Sequence, residues 1–155
     1  MPTFVVPISQ RVYDPDPSGP IRRALRIGLR GAVRTQSGRF AAAQEFRLDT
    51  AATYTLMSAT LARSMDLPVP TTSSRLTMTT SVGSRPVVVR DGELRVRFDA
   101  LPGHLFRLYC VFSEDVPPSV PPLLGLNDFA DLFRFTVDAA PTADFPFGSV
   151  HFDTR

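Results

Sequence analysis

The chain has 155 residues, 43% hydrophobic and 21% charged, a balance suited to one globular domain with a core of useful size. No stretch approaches the roughly 18 apolar residues of a membrane span. The net charge is only +2: all 17 basic residues are Arg, scattered among 15 acids, which argues against the concentrated basic footprint of a nucleic-acid binder. The start, Met1 to Pro7, lacks a basic opening, a long apolar run and a small-residue cleavage site, so it does not read as a signal peptide. Cys110 is the single cysteine, which rules out an intrachain disulfide. The cytoplasm is the expected compartment.

The pattern predicts a single domain over 1–155, with an N-terminal arm (1–23), a core (24–138) and a tail (139–155). Residues 9–20 hold Pro15, Pro17, Gly19 and Pro20, which mark a loop or exposed arm. From Ala24 to Val33, Leu25, Ile27 and Leu29 alternate with Arg26, Gly28 and Arg30, the period of a half-buried strand. Ser37-Gly38 reads as a turn and Phe40 to Leu48 as the returning strand. Thr55 to Asp66 is the clearest helix, with Leu56, Met57, Leu61 and Met65 at helical spacing and Pro68 and Pro70 ending it. Arg75 to Thr80, Val87 to Val89, Leu94 to Phe98 and Leu105 to Phe112 read as strands, with a turn at Val82 to Pro86. Val116 to Pro122 is proline-rich and extended. Asn127 to Leu132 predicts a second short helix, Phe133 to Asp138 a strand, and Val150 to Phe152 one more. The fold class is therefore all-β, with two short helices, of the barrel or sandwich kind.

Two segments carry the chemistry. In Phe46-Arg47-Leu48-Asp49-Thr50-Ala51-Ala52 an apolar strand runs straight into a carboxylate, which is costly to bury without partners. In Pro121-Pro122-Leu123-Leu124-Gly125-Leu126-Asn127-Asp128 an apolar extended run meets a glycine and then a predicted helix. Taken alone, Asp49-Thr50 suits a turn or helix cap, Thr80 to Arg85 an ordinary hairpin turn, and Gly125 a plain turn with Asn127 and Asp128 as helix caps.

Together and in order, these segments resemble the retropepsin-like (retroviral-type) aspartic protease family, as a bacterial-type single-lobe member. Asp49-Thr50-Ala51-Ala52 stands where the family has Asp-Thr/Ser-Gly-Ala/Ser. Thr79 to Arg85 stands at the flap, and Leu123-Leu124-Gly125 at the late apolar-apolar-Gly. The resemblance spans Ala24 to Asp138. It implies a closed β-barrel of the acid protease type. It makes Asp49 and Thr50 catalytic, Ala51, Thr80, Ser81, Val82 and Gly83 substrate-binding, and Leu123, Leu124 and Gly125 the structural loop of the site. One lobe supplies one carboxylate, so the resemblance further implies a homodimer acting on a peptide or protein substrate, without cofactor or metal.

Two positions depart from the family pattern. Ala51 replaces the usual Gly, whose missing Cβ allows close backbone approach. Arg47 stands where the family is apolar; strand alternation puts it on the face of Asp49, where it either sits beside the carboxylate or reaches solvent. These departures motivate an alternative, a catalytically inactive retropepsin-fold module used for binding or assembly. Cys110 lies in an apolar strand without a His or Asn neighbour and reads as core. His104 and His151 give no metal-ligand spacing, and a Gly-x-Ser-x-Gly nucleophile turn is absent.

Overall fold

The computed structural model describes residues 3–13, 22–49, 52–80, 83–129 and 132–154. The chain forms β1 (Phe4–Tyr13), β2 (Arg22–Val33), β3 (Gln44–Leu48), β4 (Thr55–Ser58), α1 (Ala59–Ser64), β5 (Ser74–Thr80), β6 (Gly83–Phe98), β7 (Phe106–Ser113), β8 (Leu123–Leu124), β9 (Phe133–Asp138) and β10 (Ser149–Thr154). The sheet order is β5-β6-β7-β4-β8-β3-β2-β1-β10-β9. A further pairing, Gly31 to Val33 of β2 against Phe98 to Val96 of β6, closes the six strands from β6 to β2 into a ring. The β5–β6 hairpin projects from one side of that ring, and β1, β10 and β9 extend it on the other.

The strands form where alternation lets one face leave water. In β6, Val87, Val89, Leu94, Val96 and Phe98 are buried while the residues between them are largely exposed. The main core is an aromatic relay. Phe98 has its ring centroid 5.5 Å from Phe46, 5.4 Å from Phe106 and 5.2 Å from Phe129. Phe129 meets Phe133 at 5.0 Å, and Phe4 stacks on Phe152 at 4.7 Å. The relay thus links the ring to the terminal strands. Edge-to-face and offset rings each add about 0.5–1.5 kcal/mol beyond the area they bury.

Four predicted features are corrected. Residues 4–13 of the expected arm are a strand: Phe4, Val6 and Ile8 are buried, and β1 pairs with β10 through its first half and with β2 through its second. Pro7 disguised it, since proline usually ends a strand pattern. The helix expected over Thr55 to Asp66 begins only at Ala59, because Thr55 to Ser58 pairs in parallel with Cys110 to Ser113. The Ser58 hydroxyl then accepts the Leu61 N–H at 3.3 Å and caps the helix. The two strands expected at Val87 and Leu94 are one. Gly92 lets β6 run on without a break, for a Cβ there would lie 2.9 Å from the Phe112 ring. The second helix, expected over Asn127 to Leu132, does not start at Asn127: Asn127 to Phe129 is a turn, with Asp128 at φ 66°, Ala130 and Asp131 lie outside the described residues, and Leu132 is in a 3-10 turn, so α1 is the one α-helix among the described residues. No helix of the described residues is long and apolar enough to cross a membrane.

Because Phe98 touches three other core rings, Phe98→Ala is expected to cost about 3–5 kcal/mol of folding stability. A urea unfolding series would read this as a lower midpoint with an unchanged slope.

Candidate active site

The site is built on one topological feature: β8 threads between β3 and β4. Arg47 and Leu48 pair in parallel with Leu123 and Leu124, while Leu56 pairs antiparallel with Leu123. The chain therefore leaves β3 at Asp49 and crosses over the end of β8 before returning as β4. Backbone hydrogen bonds pin this crossing on both flanks. The Asp49 N–H donates to the Leu124 carbonyl at 2.9 Å, and the Ala52 N–H to the Asp49 carbonyl at 3.2 Å. From the other side, the N–H groups of Leu126 and Asn127 donate to the carbonyls of Ala52 and Thr53 at 2.8 and 2.9 Å. Gly125 lies under the crossing, where an added Cβ would stand 2.4 Å from the Tyr54 carbonyl carbon. Only glycine lets the two backbones meet so closely.

Asp49 is half-buried and forms part of the wall of a cleft of about 830 Å³. Ala52, Thr53 and Tyr54 continue that wall, Leu76 to Thr79 of the β5–β6 hairpin face it, and Val87, Val89, Val111, Leu56 and Leu123 line the rest. Val87, Val89 and Val111 form a hydrophobic cluster of their own, with Leu56 and Met78 packed on it, distinct from the aromatic core. A cleft lined largely by apolar side chains beside one carboxylate can take apolar groups.

The hairpin is fastened where it leaves the ring. β6 pairs with β7 as far as Val89, opposite Ser113. Just beyond, side chains replace the missing strand: the Ser113 hydroxyl donates to the Val88 carbonyl at 3.1 Å, and the Val88 N–H donates to Asp115 at 3.2 Å. A second brace backs the crossing. The Tyr54 ring meets Tyr109 edge-on at 5.0 Å. The Tyr109 hydroxyl donates to Asp91 at 2.6 Å, and its N–H donates to the Asp128 carboxylate at 2.6 Å. The hydrogen bond to Asp91, with burial and the neighbouring negative charge, pushes the Tyr109 phenol up to about 12.

Of the residues singled out from sequence, Asp49, Leu123, Leu124 and Gly125 come together at the crossing. Leu123 reaches the cleft, while Leu124 is fully buried in the core. Thr80 and Gly83 pair with each other at the end of the hairpin, Gly83 at φ 128°. The described hairpin residues that line the cleft are instead Leu76 to Thr79, Val87 and Val89. Thr50, Ala51, Ser81 and Val82 lie outside the described residues. Arg47 is half-buried, on the face opposite the buried Phe46 and Leu48. Sequence reasoning missed Tyr54, Met78 and Val111. The alternation of Leu76 and Met78 along β5 was the signal that could have found the second.

No protein-family model matches the chain, and no curated protein gives a significant match. Among solved structures it is similar to the crystal structure of a retropepsin-like aspartic protease from Rickettsia conorii. The TM-score is 0.52 at 12% sequence identity, over 97% of this chain and 90% of that one. The likeness covers the terminal strands as well as the ring, and it supports a mostly β, retropepsin-like fold.

Gly125→Ala is expected to destabilise the chain by about 3 kcal/mol, at the upper end of overpacking costs, since backbone rather than a flexible side chain must yield. Urea unfolding measures this. Tyr109 is expected to ionise near 12, about two units after an ordinary tyrosine. Folding favours its neutral form, so this contribution to stability is complete below about pH 10 and disappears as pH rises through the folded value. Titration of tyrosinate absorbance should show the late transition, and Asp91→Ala should move it down.

Proposed function

We propose that the protein is an aspartic endopeptidase that works as a homodimer, with Asp49 of each subunit forming one catalytic pair. The observation that carries this reading is the position of Asp49. It stands at the end of a buried strand, on a crossing pinned over β8 and Gly125, in the wall of an apolar cleft covered by a hairpin. The sequence resemblance and the likeness in fold support the same reading.

A twofold axis sets the same residue opposite itself, so one Asp49 per chain becomes two facing carboxylates. Such a pair holds a single proton between its members and titrates as a unit. The ionised member takes a proton from water, which attacks the peptide carbonyl carbon; the protonated member donates to the carbonyl oxygen. The resulting tetrahedral intermediate collapses with proton transfer to the leaving nitrogen, and no covalent adduct with the enzyme forms. Thr50 holds the two active-site loops together across the axis. The substrate lies extended, as an added strand, between the crossing and the hairpin. Thr80, Ser81, Val82 and Gly83, with Ala51, bind it. Leu123, Leu124 and Gly125 act as the scaffold that fixes Asp49.

Wild-type protein is expected to cleave unfolded polypeptides, with a bell-shaped pH dependence that requires the singly protonated pair. A hydroxyl-bearing transition-state mimic should block the cleavage. Asp49→Asn should lower the rate on the order of a thousandfold or more, because both the acid and the base are compromised. Cleavage by Asp49→Asn at the wild-type rate would sink the proposal.

A further inference from the structure

We infer that β9 is the edge through which two copies of the chain meet, pairing antiparallel with its own copy about Thr136. The second copy as occupant rests on the dimeric reading above, since one chain offers one Asp49. The location of the contact comes from the strand itself.

β9 ends the sheet. Along one edge it pairs with β10 through all six of its residues, from Phe133 opposite Thr154 to Asp138 opposite Ser149. Among the described residues no strand pairs with its other edge. Such an edge presents unpaired backbone N–H and C=O groups, a template for a further strand.

The side chains along β9 specify which strand fits. Laid antiparallel on a copy of itself with Thr136 facing Thr136, Arg134 falls opposite Asp138 of the second copy, and Asp138 opposite its Arg134. Opposite charges facing each other across strands are favourable, and like charges are not. Arg134 has no ion pair among the described residues, although Asp153 is its neighbour on β10. Asp138 accepts the Ala140 N–H through Oδ1, which leaves its other oxygen for an arginine.

On the opposite face of the strand the same register matches Phe135 to Val137. Phe133 is buried and Phe135 half-buried on that face, yet Val137 is 53% exposed, the most exposed large hydrophobic residue described. Phe135 of the second copy would cover it. One register therefore satisfies the backbone edge, two symmetric charge pairs and the exposed valine.

Sedimentation equilibrium on the full chain tests this with three variants. Arg134→Asp and Asp138→Arg each turn both symmetric pairs repulsive, because a twofold interface repeats every change. Each should weaken the dimer by roughly tenfold or more. The double variant R134D/D138R restores opposite charges and should recover most of the loss. In a separate measurement, Thr136→Cys should give a disulfide-linked dimer under mild oxidation; the buried Cys110 does not compete. This crosslink decides the matter if a charge variant does not fold. A wild-type monomer, or a dimer indifferent to all three charge variants and uncrosslinked at position 136, overturns the proposal; a strand of another protein would then be the occupant to seek. The peptidase reading fails separately. It falls if Asp49→Asn still cleaves, even when the β9 variants shift sedimentation as expected. It stands if Asp49→Asn is dead while the β9 variants do nothing.

Discussion

Two residues, Leu123 and Leu124, form the shortest strand in the molecule and set the geometry of the rest. They separate β3 from β4, which would otherwise be free to join as a simple hairpin. Because β8 occupies that place, the connection after β3 must climb over its end, and the chain can do so only where Gly125 offers no Cβ to the Tyr54 backbone. The same insertion completes the ring from β6 to β2. The position of Asp49 follows from this. It is the first residue past β3, held through its N–H by the Leu124 carbonyl, with Leu48 and Leu124 buried in the core beside it. Backbone bonds hold the crossing, so its shape does not depend on flexible side chains.

The apolar residues are divided between two clusters with different tasks. The aromatic relay from Phe46 to Phe152 ties the ring to the terminal strands. The smaller cluster of Val87, Val89 and Val111 lies beneath the hairpin and lines the cleft. Few contacts therefore join the hairpin to the main core, and its attachment concentrates at Val88, where Ser113 and Asp115 hold the backbone. Elements with few buried apolar contacts open at lower free-energy cost than the global fold. On the proposed peptidase reading, a groove that admits a chain and closes over it needs that inequality.

Much of this was legible in the sequence, and the failures have physical causes. β9 was read with its full bounds because its alternation is undisturbed. The Leu123-Leu124-Gly125 segment drew notice only through the family resemblance, since on its own the glycine suits a plain turn before a helix. The Thr55 to Asp66 segment misled because Leu56, Met57, Leu61 and Met65 satisfy helical spacing while the first two belong to a strand. Parallel pairing with β7, a contact distant in sequence, outweighed local periodicity. Pro7 hid β1 in the same way: the buried alternation of Phe4, Val6 and Ile8 was present, but proline reads as a break. Tyr54 was invisible as a wall residue because its place depends on the crossing, which no local pattern encodes.

The terminal strands connect the fold to the proposed chemistry. β1 and β10 pair with each other inside one chain, and each is flanked again, by β2 and by β9. Among the described residues, the outer side of β9 pairs with no strand along its whole length. A single edge that is self-complementary admits a closed pair and no longer array, because an antiparallel match about Thr136 uses the edge up in both copies. A catalytic pair made from one Asp49 per chain has the same requirement: two subunits, one axis and no third partner.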